Sequence, residues 1–336
     1  MMNPKIIYKK TIKVDFRYFW PCFSKKDNFF IDLLKKDYNV IIDEKNPEFV
    51  FFSVFENIEL KRKKGIINFI RRIYLSLRFK SKKYFYNILS IPMPLPYRMP
   101  YLKGNFIKIF YTGENITPDM SKCDWAFSFM YDEEFKNPRH LRLPLYVYEG
   151  YENKLFKKRI NFKKVKNEKN KFCNFVYSNN VSFRNKFFKK LSLYKKIDSP
   201  GSIMNNLSNN LVAVSNDPRN PYKNKLKFLK NYKFTIAFEN SVTPGYNTEK
   251  LIHPIIANSI PIYFGDPFVS RDFNTKSFIN VHDFKNMDDV IKRIIQIDND
   301  DKLYERILNE PWLKDNKKNK YMDKKKLKKR IKEIFG

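Results

Sequence analysis

Short apolar runs alternate along the chain with longer stretches in which apolar residues recur at helical spacing. In the first half, runs at 5–14, 38–42, 49–54 and 106–111 predict strands, and residues 29–35 predict a helix. The first half therefore has the elements of an α/β domain, with the run at 106–111 as a buried strand.

The second half repeats this alternation more regularly. Runs at 172–177, 234–238 and 260–264 predict strands, and residues 182–193 and 248–258 predict amphipathic helices. The last two strands and the helix between them fall within about thirty residues, which is the length of a βαβ unit with parallel strands. Parallel sheets bind ligands beyond the carboxyl ends of their strands, so polar residues directly after these runs are the first candidates for a site.

Two further stretches combine basic residues with apolar residues at helical spacing. Residues 61–83 contain ten Lys or Arg and no acidic residue, and residues 314–336 contain eleven basic and three acidic side chains. Both are predicted to be basic amphipathic helices that bind an anionic membrane surface. The alternatives are a solvated helix or, for 61–83, a helix packed within the first domain. The apolar face of the second helix would consist of Leu327, Ile331, Ile334 and Phe335.

Length and charge restrict the class of protein. The chain has 336 residues, of which 43% are hydrophobic, so it can form packed cores, and two domains are expected. With 67 Lys or Arg against 35 Asp or Glu, the formal net charge is +32. Such a charge favours nucleic acid, an anionic membrane or a phosphorylated ligand, without choosing among them. The polar, basic stretch 154–171 is interpreted as a linker between the domains.

Cysteines, histidines and the N-terminus exclude several classes. The three cysteines lie far apart and form no CxxC pair, so no disulfide framework is expected and a reducing cytoplasm fits best. The three histidines form no paired metal-ligand motif. No cleaved signal peptide is expected, because the N-terminus lacks an uninterrupted apolar segment. No spanning helix is expected either, because no stretch approaches about 18 uncharged apolar residues.

Candidate anion-binding side chains follow the strands of both βα units in the second half. Lys250 lies in the first turn of its helix, where a cation opposes the helix dipole unless an anion lies between them. Arg184 lies in the first turn of the preceding helix. Two cations at helix starts beyond strand ends suit one diphosphate. Glu249 could accept hydrogen bonds from ribose hydroxyls, and Tyr246 could pack against the ligand.

A structural role remains open for each of these side chains. Lys250 could be a solvated lysine, Glu249 a first-turn carboxylate that interacts with the helix dipole, and Tyr246 a filler of its turn.

In the first half, Glu114 follows the predicted strand 106–111 and could remove the proton from an attacking hydroxyl in an inverting sugar transfer. Its alternative is an exposed turn residue. The DxD-like segment 298–300 is predicted to be a loop rather than a metal site.

Residues 238–267 resemble the sequence block that defines the α-1,3/1,4-fucosyltransferases, glycosyltransferase family 10. That family shows FENS-x-x-x-GYxTEK followed by IPxYxGxP, and this chain has FENSVTPGYNTEKLIHPIIANSIPIYFGDP. Four other segments resemble bacterial members in order and spacing: FYTGENITPD, LRLPLY, FCNFVYSNN with Arg184, and KSFINVHDF. The resemblance is strong from 110 to 284 and weak before Tyr101.

The resemblance implies an α/β fold of GT-B type, with two Rossmann-like domains and a cleft between them. On this basis we expect an acceptor-binding domain at 1–155, a GDP-fucose-binding domain at 156–310 and a basic tail at 311–336. It further implies inverting α-1,3-fucosyl transfer from GDP-β-L-fucose to the GlcNAc of an N-acetyllactosamine-type glycan. Lewis-type antigen synthesis on lipopolysaccharide precursors is the expected context, at the cytoplasmic, inner face of the membrane.

Carried onto matching positions, the resemblance makes Glu114 the catalytic base. Arg184 and Lys250 would bind the diphosphate, and Tyr246 and Glu249 would contact the nucleotide or the fucose. The same pocket would contain Asn240. No cofactor and no metal ligand are expected, although Mn²⁺ stimulates some members of the family.

Two other functions remain as alternatives. One is a GT-B glycosyltransferase with a different nucleotide-sugar donor. The other is a basic nucleic-acid-binding protein, which the net charge and the aromatic residues allow. No recognised nucleic-acid-binding motif is present, and the basic residues concentrate outside the βαβ units, so no nucleic acid partner is expected.

Overall fold

The chain forms two compact units. In the computed structural model, unit 1 comprises Met1–Ser128, Lys136–Leu141 and Lys328–Gly336, and unit 2 comprises Phe129–Phe135 and Arg142–Leu327. The helix predicted at 61–83 lies outside the residues that the structure describes. Those residues are 9–20, 23–55, 98–157, 160–207 and 222–336.

Unit 1 is built around a sheet with the strand order β2-β1-β3-β4-β5-β6. Its strands are β1 (Lys10–Arg17), β2 (Tyr38–Ile42), β3 (Phe49–Phe52), β4 (Ile107–Tyr111), β5 (Trp125–Ser128) and β6 (His140–Arg142). The neighbouring pairs from β2 through β5 are parallel. All four residues of β3 are buried, as expected for a strand covered on both faces.

The helix predicted near 29–35 is confirmed as α1 (Phe29–Leu34). Asn28 caps it, because its side chain accepts hydrogen bonds from the backbone N–H groups of Phe30 and Ile31. Two further short helices follow along the chain, α2 (Asp132–Phe135) and α3 (Leu145–Tyr148), and both belong to unit 2.

Unit 2 contains a second parallel sheet, with the order β11-β10-β9-β7-β8. Its strands are β7 (Lys171–Asn174), β8 (Ile197–Asp198), β9 (Tyr232–Phe238), β10 (Ile260–Phe264) and β11 (Ile279–Asn280). Its helices are α4 (Phe162–Glu168), α5 (Ser182–Leu191), α6 (Lys223–Leu229), α7 (Glu249–Ile256), α8 (Met287–Asn299) and α9 (Asp301–Asn309).

The strand order of unit 2 creates a switch point between β7 and β9. The chain leaves β7 through α5 toward β8, and leaves β9 through α7 toward β10, in opposite directions along the sheet. Right-handed crossovers then place α5 and α7 on opposite faces, so their N-termini flank the carboxyl ends of β7 and β9. The predicted βαβ unit is confirmed, and so is the α/β class.

The predicted domains were defined by the ligand that each would bind, whereas the two units are defined by which residues pack together. The boundary at 155/156 and the tail at 311–336 therefore stay predictions. The stretch 154–171, interpreted as a linker, contains α4, whose Val165 is buried in the core of unit 2.

The basic C-terminal segment forms the predicted amphipathic helix, α10 (Lys324–Phe335). Its four apolar residues are all at least nine-tenths buried. The ring of Phe335 lies 4.4 Å from that of Phe49 and 5.8 Å from that of Tyr38, both in unit 1. Packing within the protein therefore accounts for the apolar face, which is not available for insertion into a bilayer. No helix in the described ranges combines the length and apolarity that crossing a membrane requires.

Replacing Phe335 by Ala should destabilise unit 1, because a cavity would replace a ring that packs between two strands. We expect a loss of about 3–5 kcal/mol, which lowers the melting temperature by roughly 10 °C. Thermal unfolding followed by circular dichroism measures the melting temperature. The control is Lys332→Ala, which changes an exposed residue on the same helix. An unchanged melting temperature for Phe335→Ala would mean that α10 does not pack through this face.

Candidate functional site

The structure brings polar and charged side chains together at the switch point of unit 2. They come from the start of α5, from the segment that follows β9 and from the start of α7. Sequence reasoning predicted five of them: Arg184, Asn240, Tyr246, Glu249 and Lys250.

Arg184 is a buried cation, with only 1% of its surface exposed. Its Nη2 donates to Asn240 Oδ1 at 2.8 Å and to the backbone oxygen of Glu239 at 3.1 Å, and its guanidinium lies 3.7 Å from the ring centroid of Tyr177. Its Nε has no partner among the described residues. Burial lowers the pKa of Arg184, and the charges of Glu239 and Glu249 oppose this effect only in part. Such a site is stabilised by a bound anion.

Glu239 is the second buried group, and sequence reasoning did not select it. The backbone N–H of Thr248 donates to Oε1 at 2.9 Å, and the hydroxyl of Thr248 lies 2.7 Å from Oε2. The ammonium of Lys250 lies 3.5 Å from Oε2. A Cβ at Gly265 would lie 2.5 Å from Glu239 Cγ, so glycine is required there for the close approach. Glu239 thereby joins the end of β9 to the start of α7.

Lys250 and Glu249 form an ion pair at the start of α7. The distance from Lys250 Nζ to Glu249 Oε1 is 3.2 Å, and the side chains are 16% and 26% exposed. Burial disfavours both charges. The carboxylates of Glu249 and Glu239 nevertheless raise the pKa of Lys250, and the cations nearby lower the pKa of Glu249. Lys250 is therefore a charged, mostly buried group at neutral pH rather than a solvated lysine.

Tyr246 is buried in the turn before α7. Its ring contacts that of Phe129 edge-to-face, with 5.0 Å between centroids. The preceding Gly245 has φ of +82°, and a Cβ there would lie 2.5 Å from the backbone oxygen of Phe129. Only glycine fits both constraints. In this structure Tyr246 fills its turn, and contact with a ligand stays a prediction.

A fully buried ion pair holds this turn in place. Arg142 donates through Nη1 and Nη2 to the two carboxylate oxygens of Asp272, at 3.0 and 2.7 Å. Nη2 also donates to the backbone oxygen of Gly245 at 3.2 Å, and Nε donates to that of Phe129 at 2.8 Å. Asn247 donates to Asp272 Oδ2, the oxygen that also accepts from Arg142 Nη2, at 3.0 Å. Arg142 is therefore a positioning residue for the loop that leads into α7.

Glu114 lies in unit 1, directly after β4. It is half-buried, its backbone N–H donates to Thr112 Oγ1 at 3.1 Å, and its backbone oxygen accepts from Ile116 at 2.7 Å. These contacts form a tight turn at the carboxyl edge of the parallel sheet, the edge where such sheets bind ligands. Its role as a base stays a prediction.

The loop predicted at 298–300 is wrong for two of its three residues, because Asp298 and Asn299 form the last turn of α8 and only Asp300 lies between the helices. Asp298 accepts hydrogen bonds from Lys233 at 2.6 Å and from Lys195 at 2.5 Å, and Asp300 caps α9. Among the residues that the structure describes, no group of three His, Cys, Asp or Glu side chains could hold a metal ion.

Two family models match this chain. Residues 166–333, half of the chain, match the model described as glycosyltransferase family 10 (fucosyltransferase) C-term. Residues 14–71 and 61–149 match the alpha-(1,3)-fucosyltransferase FucT N-terminal domain.

Individual relatives agree with these models. The chain is 37% identical to the alpha-(1,3)-fucosyltransferase FucT of Helicobacter pylori, over 61% of this chain and 48% of the relative. It is 38% identical to alpha-(1,3)-fucosyltransferase B of Drosophila melanogaster, over 37% of this chain and 28% of the relative. It is 31% identical to the human GDP-fucose protein O-fucosyltransferase 3, over 37% of this chain and 26% of the relative. The chain thus spans about half or less of these relatives.

Solved structures match almost the whole chain. A crystal structure of alpha1,3-fucosyltransferase with GDP-fucose has a TM-score of 0.69 and 26% identity, and covers 99% of this chain and 93% of that one. A second crystal structure of alpha1,3-fucosyltransferase has a TM-score of 0.70 and 27% identity, and covers 99% of this chain and 92% of that one. The expected GT-B fold type is therefore confirmed.

Replacing Asp272 by Ala should be strongly destabilising, because Arg142 would remain buried without its carboxylate. We expect a loss of about 3–5 kcal/mol in the free energy of unfolding. Glu134→Ala is the matched control, since it removes an exposed pair with Arg271 worth about 0–1 kcal/mol. Urea unfolding of both variants provides the comparison. Equal losses in the two variants would contradict the positioning role of the buried pair.

Proposed function

The chain belongs to glycosyltransferase family 10, the fucosyltransferase family, and from this premise we propose that it transfers L-fucose from GDP-fucose to a glycan hydroxyl. The observation that carries the proposal is the buried Arg184, which forms no direct ion pair with a carboxylate of the described residues, at the switch point of a parallel sheet. This is where a doubly wound sheet binds a nucleotide. The alpha1,3-fucosyltransferase crystallised with GDP-fucose, which has the same fold type, supports the choice of donor.

The donor would bind with its diphosphate between the starts of α5 and α7. Arg184 offers several N–H donors in one plane, and Lys250 offers a point charge. The carboxylate of Glu249 would accept hydrogen bonds from the ribose hydroxyls, and Asn240 would keep the guanidinium of Arg184 in place. Because these cations are mostly buried and fixed by hydrogen bonds, they need little reorganisation as negative charge develops on the leaving GDP.

Glu114 would act as the general base of an inverting transfer. In this step the acceptor oxygen forms a bond to the fucose anomeric carbon from the face opposite the diphosphate. The bond from that carbon to the phosphate oxygen breaks, and its electron pair leaves with GDP. The proton of the acceptor hydroxyl passes to Glu114. Attack from the opposite face converts the β-linked donor into an α-linked product.

The acceptor we propose is the GlcNAc of an N-acetyllactosamine-type glycan, with fucose added in α-1,3 linkage. Lewis-type antigens on lipopolysaccharide precursors would then be the products. Support for the α-1,3 linkage comes from the names of the bacterial and insect relatives, which are both α-1,3-fucosyltransferases. Neither a cofactor nor a metal ion enters this proposal, since cations of the protein compensate the charge of the leaving group.

We also propose that the protein acts at the inner face of a membrane. Support comes from the exposed lysines of α10, which would act by charge alone at about 1 kcal/mol each, because the apolar face of the helix is buried. Co-sedimentation with anionic vesicles and not with neutral ones would support this location. Recovery of equal amounts of the protein with anionic and with neutral vesicles would contradict this location.

The first experiment is a product assay. The purified protein is incubated with GDP-fucose and N-acetyllactosamine, with and without Mn²⁺, and the glycan is analysed by mass spectrometry. We expect the glycan to gain one deoxyhexose while GDP is released. Release of GDP without a fucosylated glycan would keep the donor and exclude this acceptor. A folded protein that binds UDP and not GDP would have a different nucleotide-sugar donor.

Glu114→Gln should separate chemistry from donor binding. We expect kcat to fall by roughly 10²- to 10⁴-fold, because the amide cannot accept the proton. The affinity for GDP should not change, whereas Lys250→Ala should weaken it. Steady-state kinetics and calorimetric titration with GDP measure the two effects. Glu168→Gln, exposed on α4, is the control. A kcat near that of the wild type in Glu114→Gln would mean that another group is the base.

A further inference from the structure

Lys225 lies against the candidate donor site and has no role in the function proposed above. It is on α6, which packs against β9 and α7. Lys225 and Lys250 line the same small cavity, of about 10 Å³, together with Tyr177. That is room for roughly one water molecule, so the two lysine stems lie close to each other. Lys225 is half-buried, although it follows the exposed Lys223 on the same helix.

Lys225 has no direct partner for its charge within the described part of the chain. Its ammonium forms no ion pair or hydrogen bond with the part of the chain that the structure describes, whereas Lys250 contacts both Glu239 and Glu249. Burial lowers the pKa of Lys225. Among the charges around it, those of Glu249 and Glu239 oppose this effect and that of Lys250 adds to it. A half-buried ammonium that is repelled by a second ammonium is stabilised when an anion binds to both.

A count of charges shows what Lys225 contributes to the site. Arg184 and Lys250 face the carboxyls of Glu239 and Glu249, and burial raises the pKa of Glu239. Lys225 adds a third basic group to this cluster, and a site for a diphosphate needs an excess of basic groups.

The nearby carboxyl of Glu149 changes this count little. Burial and the charge of Glu249 raise its pKa to about 7, so it has only part of a negative charge at neutral pH.

The influence of Lys225 extends to its other neighbours. Burial and the charge of Lys225 lower the pKa of His253 to about 3, so this imidazole is neutral at physiological pH. The Nε2 atom of His253 lies 3.2 Å from the hydroxyl of Tyr151, and its ring lies 4.5 Å from that of Tyr222. His253 is thus an uncharged part of an aromatic wall.

We propose that Lys225 is a third donor-binding cation, which contacts the diphosphate of GDP-fucose from the α6 side while Arg184 and Lys250 contact it from α5 and α7. The proposal rests on the function proposed above. The charges of both lysines lower the pKa of Glu249, and its carboxylate is the group available for the ribose hydroxyls. A flexible ammonium stem suits a phosphate oxygen rather than the flat edge of a base.

Calorimetric titration of the full chain with GDP and with guanosine tests the proposal. Lys225→Ala should weaken GDP binding by roughly 10- to 100-fold, the loss expected for one charge-assisted hydrogen bond. Guanosine has no phosphate, so its affinity should stay within about twofold. Lys225→Arg should recover most of the GDP affinity. Lys227→Ala, which removes an exposed lysine from the same helix, is the matched control and should bind both ligands like the wild type.

The outcomes separate this inference from the function on which it rests. Unchanged GDP affinity in Lys225→Ala, or an equal loss for GDP and guanosine, would overturn the role of Lys225 and leave the donor assignment intact. A wild-type protein that binds no GDP would overturn both. If Lys225→Ala does not fold, Lys225→Gln keeps the length of the stem and is titrated in its place, with melting temperatures recorded for all variants.

Discussion

Glu239 connects the three segments that make up the candidate donor site. Its carboxylate accepts hydrogen bonds from Thr248 at the start of α7 and pairs with Lys250, and its backbone oxygen accepts a hydrogen bond from Arg184 of α5. Only 3% of Glu239 is exposed and burial raises its pKa, so its charge is costly unless its partners are fixed. The N-cap of α7 and the cation beside it provide those partners. The positions of both predicted phosphate-binding cations therefore depend on one buried glutamate at the end of β9.

The loop between β9 and α7 is held from the other side by the pair Arg142 and Asp272. This pair fixes the turn at Gly245, while Glu239 fixes Thr248 three residues later. With both ends of the segment bound to buried charges, the first turn of α7 has little freedom to move. A site that is fixed before the ligand arrives loses less entropy on binding, and its charges act on the leaving group without rearrangement.

The local part of this arrangement could be predicted from the sequence. Parallel strands place the residues that follow them at one edge of the sheet, so Arg184 and Lys250 could be assigned to one anion from βα units alone. The pair Arg142–Asp272 spans 130 residues, and no periodic pattern links its members. Glu239 was visible only as the polar end of a strand. The short strands β5 and β6 contain four and three residues, too few for an alternation to be recognised.

The amphipathic tail shows a second limit of sequence reasoning. A helical period identifies an apolar face but not what covers it, and here Phe335 packs on Phe49 in unit 1 where a membrane had been expected.

Lys225 shows the same limit for charge. In a chain with 67 Lys or Arg, composition does not reveal which lysine is drawn into a cluster and which is solvated. Only the packing of α6 against β9 and α7 places Lys225 beside Lys250. The two lysines repel each other, and a bound anion would stabilise this arrangement. The net charge of the whole chain indicated only a polyanion, whereas the proposal of a diphosphate depends on three particular residues, Arg184, Lys225 and Lys250.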